Sequence, residues 1–241
     1  MRTLSTRRIF AALCLLAAFW TPPAPATLAD EPPNFGAAAP SEASPAPAMA
    51  PRPAVVRVAA PEDENITSYG TGTLVGVDQE HGLVVTNWHV VRDATGQVSV
   101  EFPDGFRSPA TVLETDETWD LAALLIEAPK VPPVAIATAA PQRGDRLTIA
   151  GFGSGTYREA TGEVVQFVSP GEDQPSEMLE VNVDARSGDS GGPILDQRGR
   201  IAGVLFGSGD GFTDGSHSGR VRWFLKRAVK NLPGLARAVG P

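Results

Sequence analysis

From Val55 onward, short apolar runs alternate with polar or glycine-containing breaks. Residues 55–58, 72–77 and 82–86 are rich in Val and Thr, side chains that fit a pleated, half-buried surface. Comparable runs follow at 98–102, 110–113, 121–126, 146–151, 162–167, 178–183, 194–195 and 200–206. They recur roughly every 10 to 15 residues with no long 3.6-period stretch between them, so the crossover helices of a parallel sheet have nowhere to sit. The pattern predicts an all-β barrel or sandwich. Helical spacing occurs once, over 220–232, where Val221, Phe224, Leu225, Ala228, Val229 and Leu232 share a face. Its basic residues fall late, where the carbonyl end of a helix favours them, and read as a solvated face.

The start of the chain reads differently. Arg2, Arg7 and Arg8 precede a short apolar run from Ile9 to Trp20, and small residues near Ala29 offer a cleavage point before Asp30. That is the pattern of an export signal over 1–29. The run is too short to cross a hydrocarbon core of about 30 Å as a helix, which disfavours an uncleaved anchor. Leu13 is a poor neighbour for lipid attachment at Cys14. Residues 30–53 are mostly Pro, Ala, Ser and Glu and have little to bury, so they read as a linker, with a propeptide as the alternative. A folded part is expected over 54–232, long enough for one core or two small ones sharing an interface, with a flexible tail over 233–241.

The chain carries 20 Lys and Arg against 28 Asp and Glu, a net charge of -8. Loss of the three leader arginines leaves 17 against 28, or -11. Nucleic acid and anionic membrane surfaces are therefore disfavoured as partners. No stable membrane insertion is expected once the signal is cleaved. The single cysteine, Cys14, lies in the segment expected to be removed, so the exported chain must rely on its core rather than on disulfides. With His81, His89 and His217 scattered and no cysteine cluster, neither a metal nor another cofactor is expected.

One turn carries candidate chemistry. In "RSGDSGGPIL", Ser190 sits among Gly188, Gly191 and Gly192. Taken alone, this is equally a tight turn. It also fits the Gly-x-Ser-x-Gly elbow of the α/β hydrolases, where acid and histidine follow the serine; only His217 follows here, with too little chain for the remaining sheet and helices. The opposite order is available. His89 in "VVTNWHVVRD" follows an apolar strand, and Asp120 in "TWDLAALLI" precedes another. An unassisted hydroxyl is a weak nucleophile; imidazole accepts its proton near neutral pH, and a carboxylate fixes the imidazole tautomer. The glycines would let the Gly188 and Ser190 N–H groups point together at an oxyanion. Asp116 competes with Asp120 for the acid role, and Asp120 is preferred because it abuts the apolar strand. Thr86, Asn87 and Trp88 are expected to shape the loop that carries His89.

"LVVTNWHVV", "WDLAALLI" and "GDSGGPIL", in that order, resemble the histidine, aspartate and serine segments of trypsin-like serine proteases. The opening "VVRVAAPEDENITSYGTGTLVGV" followed by "GLVVTNWHVV" resembles the bacterial DegP/HtrA-type branch in particular, over about residues 55 to 228. The resemblance implies a chymotrypsin/trypsin-like fold: two six-stranded antiparallel β-barrels with a C-terminal helix, His89 and Asp120 on the first barrel and Ser190 on the second. It implies a serine-type endopeptidase acting on proteins or peptides through an acyl-enzyme. Two departures stand out. The DegP/HtrA type usually has Asn before the serine and PDZ domains afterwards, whereas Asp189 precedes Ser190 and the sequence runs to Pro241. Asp189 resembles the trypsin acid that pairs with a freed amino terminus, yet no Ile-Val-Gly-Gly-like start precedes Val55, so local backbone or Arg partners are expected instead.

By the same resemblance Asp184 matches the acid at the base of the trypsin specificity pocket, and Phe206, Gly207 and Ser208 stand where its wall has Ser-Trp-Gly. An unpaired Asp184 selects Lys or Arg; neutralised by Arg186, it leaves a small or aliphatic preference. A catalytically silent scaffold that kept the fold is the alternative to the enzyme. Export places the protein in the periplasm or outside the cell, and the sequence does not specify an oligomeric state.

Overall fold

A computed structural model describes residues 49–240. The expected signal at 1–29 and the linker up to residue 48 lie outside the described residues. Thirteen strands and three α-helices make up the described part. The first half forms one curled antiparallel sheet from β1 (Val55–Pro61), β2 (Thr67–Val77), β3 (His81–Thr86), β4 (Ser99–Glu101), β5 (Arg107–Pro109), β6 (Thr111–Asp116) and β7 (Leu121–Glu127), in the order β5-β4-β1-β2-β3-β7-β6. The second half is a closed barrel of β8 (Arg146–Gly151), β9 (Arg158–Val168), β10 (Met178–Val181), β11 (Pro193–Leu195), β12 (Ile201–Gly209) and β13 (Phe212–His217).

The expected six-plus-six strand count thus holds for the second barrel, while the first sheet has seven strands. The extra member is the three-residue β5, which ends on Pro109 and so runs out of ladder donors. Its contact with β7 is made by a side chain, the Glu127 N–H donating to Ser108 Oγ at 3.0 Å.

The apolar pattern explains which strands are central. On β1, Val56, Val58 and Ala60 face the interior of the first sheet with Leu74 and Val84. Residues 83–85 of β3 and 121–126 of β7 are apolar without a break because both faces are covered. Val84, Ala122, Leu124 and Ile126 point into the sheet's interior. Leu83, Val85, Leu121 and Ala123 point the other way, into a seam with Leu195, Ile201 and Val204 of the second barrel. The second barrel has its own interior of Leu147, Ile149, Leu179, Val181, Ile194 and Leu205.

The expected helix is α2 (Ser218–Ala228), beginning two residues earlier and ending sooner than its apolar spacing suggested. His217 caps it, Nδ1 accepting from the Gly219 N–H at 2.9 Å, and Val221, Phe224 and Leu225 enter the seam. The chain then turns at Val229–Leu232 into α3 (Pro233–Val239), where a flexible tail was expected. Pro233 opens this helix, and Leu235 and Val239, four apart on one face, are buried in the seam core. At the other end Arg52, expected in the linker, is tied to Glu159 by Nε at 2.7 Å, while Tyr157 donates to the same carboxylate. Among the described residues no helix is long and apolar enough to cross a membrane.

Candidate active site

β3 and β7 pair antiparallel with Thr86 opposite Ala122, so the residues leaving β3 lie beside those entering β7. This register brings His89 and Asp120 together across 31 residues of sequence. His89 stands on a single helical turn, α1 (Trp88–Val91), and its Nδ1 is 2.6 Å from Asp120 Oδ2. The other carboxylate oxygen, Oδ1, accepts from the His89 backbone N–H at 2.9 Å. Asp120 therefore orients the ring and caps the start of α1 in one contact. Its side chain is 15% exposed and that of His89 34%, a pair shielded on the acid side and open on the imidazole side.

Asp120 has a left-handed backbone, φ +49, which Asp tolerates better than most residues. Two neighbours hold it there. Asn87 Nδ2 donates to the Asp120 carbonyl at 2.7 Å, and Ser216 Oγ on β13 donates to the preceding Trp119 carbonyl at 2.7 Å. Asp116 is occupied elsewhere, accepting from the Trp119 N–H to close the turn before β7.

Ser190 lies in the loop that leads into β11. Thr71 on β2 pins this loop to the first sheet. The Thr71 N–H donates to the Ser190 carbonyl at 2.8 Å, and Thr71 Oγ1 donates to the Gly188 carbonyl at 2.8 Å while accepting from the Phe152 N–H at 3.0 Å. Thr86 Oγ1 in turn donates to the Thr71 carbonyl. Packing here is close enough to demand glycine: Gly191 has φ +83, and a Cβ on it would lie 2.1 Å from the Thr71 carbonyl oxygen.

The peptide planes of the loop are fixed by their carbonyls. The Ser187 carbonyl accepts from the Ser154 N–H at 3.0 Å, and the Asp189 carbonyl from the Gly192 N–H at 2.9 Å. In a planar trans peptide the N–H points away from its carbonyl, so Gly188 and Ser190 turn their N–H groups to the opposite side. Neither donates to a partner among the described residues. Gly188 needs φ +92 for this arrangement. The Ser190 hydroxyl likewise makes no hydrogen bond among the described residues.

Asp189, 2% exposed, supports the loop from beneath. It accepts from the Gly153 N–H at 2.7 Å, the Arg186 N–H at 2.8 Å and Arg186 Nη2 at 3.0 Å, the local backbone and Arg partners expected for it. Arg186 extends further to the Gly151 and Thr156 carbonyls.

The pocket candidates are less concentrated. Asp184 is exposed rather than buried at a pocket base; its carbonyl, not its carboxylate, is engaged, by Arg158 Nη2. Arg186, considered as a neutralising partner for Asp184, is committed to Asp189. Phe206 packs half-buried against the seam core, Gly207 faces open space, and Ser208 Oγ reaches the Ala185 carbonyl at 3.5 Å. Among the described residues no three His, Cys, Asp or Glu side chains gather closely enough to hold a metal ion.

With this geometry in place the relationships are informative. Residues 70–204 match the family model described as trypsin-like peptidase domain, more than half of the chain, and the chain belongs to that family. The serine protease Rv3671c of Mycobacterium tuberculosis is 29% identical over 184 residues, which covers 69% of this chain and 45% of that protein. A DegP-like periplasmic serine endoprotease of Chlamydia pneumoniae is 33% identical over 140 residues, 56% of this chain and 28% of that protein. The chain thus spans less than half the length of these curated relatives. Among solved structures, the serine endoprotease from Yersinia pestis aligns with a TM-score of 0.65 at 24% identity, covering 76% of this chain and 65% of that one. The active form of Rv3671c aligns with a TM-score of 0.64 at 24% identity, covering 73% and 81%. At that identity the two structures establish the shared fold.

Proposed function

We propose that this protein is an exported serine endopeptidase in which Ser190 is the nucleophile, His89 the general base and acid, Asp120 the orienting acid, and Gly188 and Ser190 the oxyanion donors. The observation that carries the reading is the pair of N–H groups at Gly188 and Ser190, held without partners beside a His89–Asp120 pair bonded at 2.6 Å. A binding scaffold has no physical use for backbone donors kept free next to an imidazole whose tautomer is fixed.

The reaction follows from the roles. Ser190 Oγ attacks the peptide carbonyl carbon as its proton passes to His89 Nε2. Asp120 keeps the proton on Nδ1 and stabilises the imidazolium that forms. The carbonyl oxygen, now negative, receives the two N–H groups, whose orientation was fixed during folding and needs no reorganisation. The C–N bond breaks, His89 gives its proton to the departing amine, and the acyl group stays on Ser190. Water then attacks that ester with His89 again taking a proton, and collapse returns Ser190 and releases a carboxylic acid.

On this reading residues 1–29 direct export and are removed, residues 30 to about 50 tether the folded part, and proteins or peptides in the periplasm or outside the cell are the substrates. A serine-directed phosphonylating reagent tests the assignment. It is expected to add one mass increment at Ser190, and His89→Ala is expected to suppress the addition. Folded wild-type protein that takes no adduct and cleaves no peptide would favour the silent scaffold.

A further inference from the structure

A cleft of about 630 Å³ adjoins Gly188, and none of Asp184, Phe206, Gly207 or Ser208 lines it. Its walls come from Arg57 and Tyr69 of the first sheet and from Phe152, Ser187 and Gly188 of the second barrel. Its floor is close beneath the nucleophile: a Cβ on Gly70 would lie 3.1 Å from the Ser190 carbonyl oxygen and 2.7 Å from Val90, the residue after His89. A peptide crossing Ser190 leaves the loop in two directions; the trypsin resemblance puts the acyl side at Asp184 and Phe206 to Ser208, all outside this cleft, which leaves the cleft to the amine side.

Arg57 gives this cleft a definite chemistry. Its guanidinium carbon lies 4.8 Å from the centroid of the Phe152 ring, and Nη2 donates to the Gly155 carbonyl. It is held in place by an aromatic face and one acceptor, which leaves most of its five N–H groups for a ligand. The acid opposite it in the β1–β4 ladder, Glu101, is taken by Arg107 at 3.0 Å. Arg57 has no acidic partner among the described residues. Among the residues that line the cleft it is the sole cation, and no carboxylate is there to compensate it. Tyr69, 71% exposed, stands beside it as a surface on which an aliphatic stem can lie.

We propose that Arg57, from its place in this cleft, selects Asp or Glu within the first three residues after the scissile bond. The proposal rests on the hydrolase reading above. A guanidinium fixed against a ring loses less freedom on pairing than a free side chain and matches a carboxylate in a fork. Because the protein as a whole is acidic, this preference is local to the cleft rather than a consequence of long-range attraction.

Internally quenched peptides with a common acyl side, and with Glu, Ala or Lys placed in turn at the first three positions after the cleaved bond, test this in the full chain. For wild type, kcat/KM is expected to be about five-fold higher for the best Glu peptide than for its Ala counterpart, the size of a partly exposed ion pair. That ratio should fall to near one in Arg57→Gln, and Arg57→Glu should favour Lys instead. Ratios within one variant cancel any general loss of folding or turnover. Cleavage of the Ala peptides with no Glu preference in wild type, or a Glu preference that survives in Arg57→Gln, overturns the selection by Arg57 alone. Failure to cleave any peptide, with no adduct on Ser190, overturns the hydrolase reading and the selection with it.

Discussion

Replacing Thr71 with Val tests whether the Ser190 loop is held by the first sheet. Valine keeps the shape and both backbone bonds of residue 71, which is fully buried, and removes only the hydroxyl. Two groups then lose a partner inside the seam: the Gly188 carbonyl, an acceptor at 2.8 Å, and the Phe152 N–H, a donor at 3.0 Å. Each stranded group costs about 1–3 kcal/mol, so a loss of about 2–6 kcal/mol in unfolding free energy is expected. That is a large share of an ordinary domain's stability of about 5–15 kcal/mol, so activity is compared at a temperature where the variant is folded. The catalytic effect should be separate. Freeing the Gly188 carbonyl unpins the Gly188–Asp189 peptide plane, which adjoins the Ser187–Gly188 plane that carries the Gly188 N–H; losing one oxyanion donor costs roughly 10²–10³ in kcat, so a partial misalignment should cost about 10- to 100-fold. Thr71→Ser restores the hydroxyl while giving up a methyl group worth about 1 kcal/mol, and should recover most of kcat. Denaturant titration gives the stability change, and peptide hydrolysis well below the melting range gives kcat and KM. The reasoning fails if Thr71→Val keeps kcat within twofold of wild type, or if Thr71→Ser loses as much as Thr71→Val.

Arg186→Met leaves the Asp189 carboxylate buried with two backbone donors and the more distant Arg158, 3.8 Å from Oδ2; a loss of about 3 kcal/mol is expected, near the low end for broken buried pairs because Arg186 is itself partly exposed, and denaturant melts check it. Asp184→Asn should change the Lys-to-Ala ratio of cleavage by less than about five-fold, since an exposed carboxylate is worth about 0–1 kcal/mol to a cationic partner; library profiling gives the ratio. Burial pushes the His217 imidazole below its ordinary value, so the folded state favours the neutral, capping form. Its contribution is complete above about pH 6.5 and is lost as pH falls through the lower folded value; His217→Asn should flatten that slope in melting curves taken between about pH 5 and pH 8. Leu235→Ala should cost about 2–4 kcal/mol, because α3 closes the seam core, and unchanged stability would return this segment to the status of a tail.

Legibility in the sequence followed how much of each feature was local. The strands β3 and β7 could be read because burial on two faces makes residues 83–85 and 121–126 continuously apolar, and the segments around His89, Asp120 and Ser190 could be read because each carries a recognisable local motif. β13, Phe212–His217, was missed: "FTDGSH" has no apolar alternation, and its pairing with β10 and β12 makes it a strand. α3 was missed because a single pair, Leu235 and Val239, carries its apolar face. Thr71 gave no signal either, since a threonine in a glycine-rich strand is unremarkable until the loop 117 residues later docks on it. Asp184 marks another limit: its motif position matches a pocket base, and whether its side chain is buried there depends on the fold, which leaves it exposed.

What joins the two halves is a layered seam. On the buried side, Leu83, Val85, Leu121 and Ala123 meet Leu195, Ile201, Val204 and the two terminal helices in one apolar cluster. At its rim the contacts become single hydrogen bonds that reach across: Thr71 to Gly188 and Ser190, and Ser216 to Trp119. Each rim bond ends on a backbone carbonyl next to a candidate catalytic group or on that group itself. Burial supplies adhesion without direction, because it depends on area. Hydrogen bonds supply direction, because a donor misplaced in a dry seam loses its partner outright. With no cysteine among residues 49–240 to cross-link the halves, the apolar cluster must hold them together. The relative placement of Ser190, His89 and Asp120 then falls to a few polar side chains at its edge. Loss of one rim bond is therefore expected to misalign the site while the seam survives.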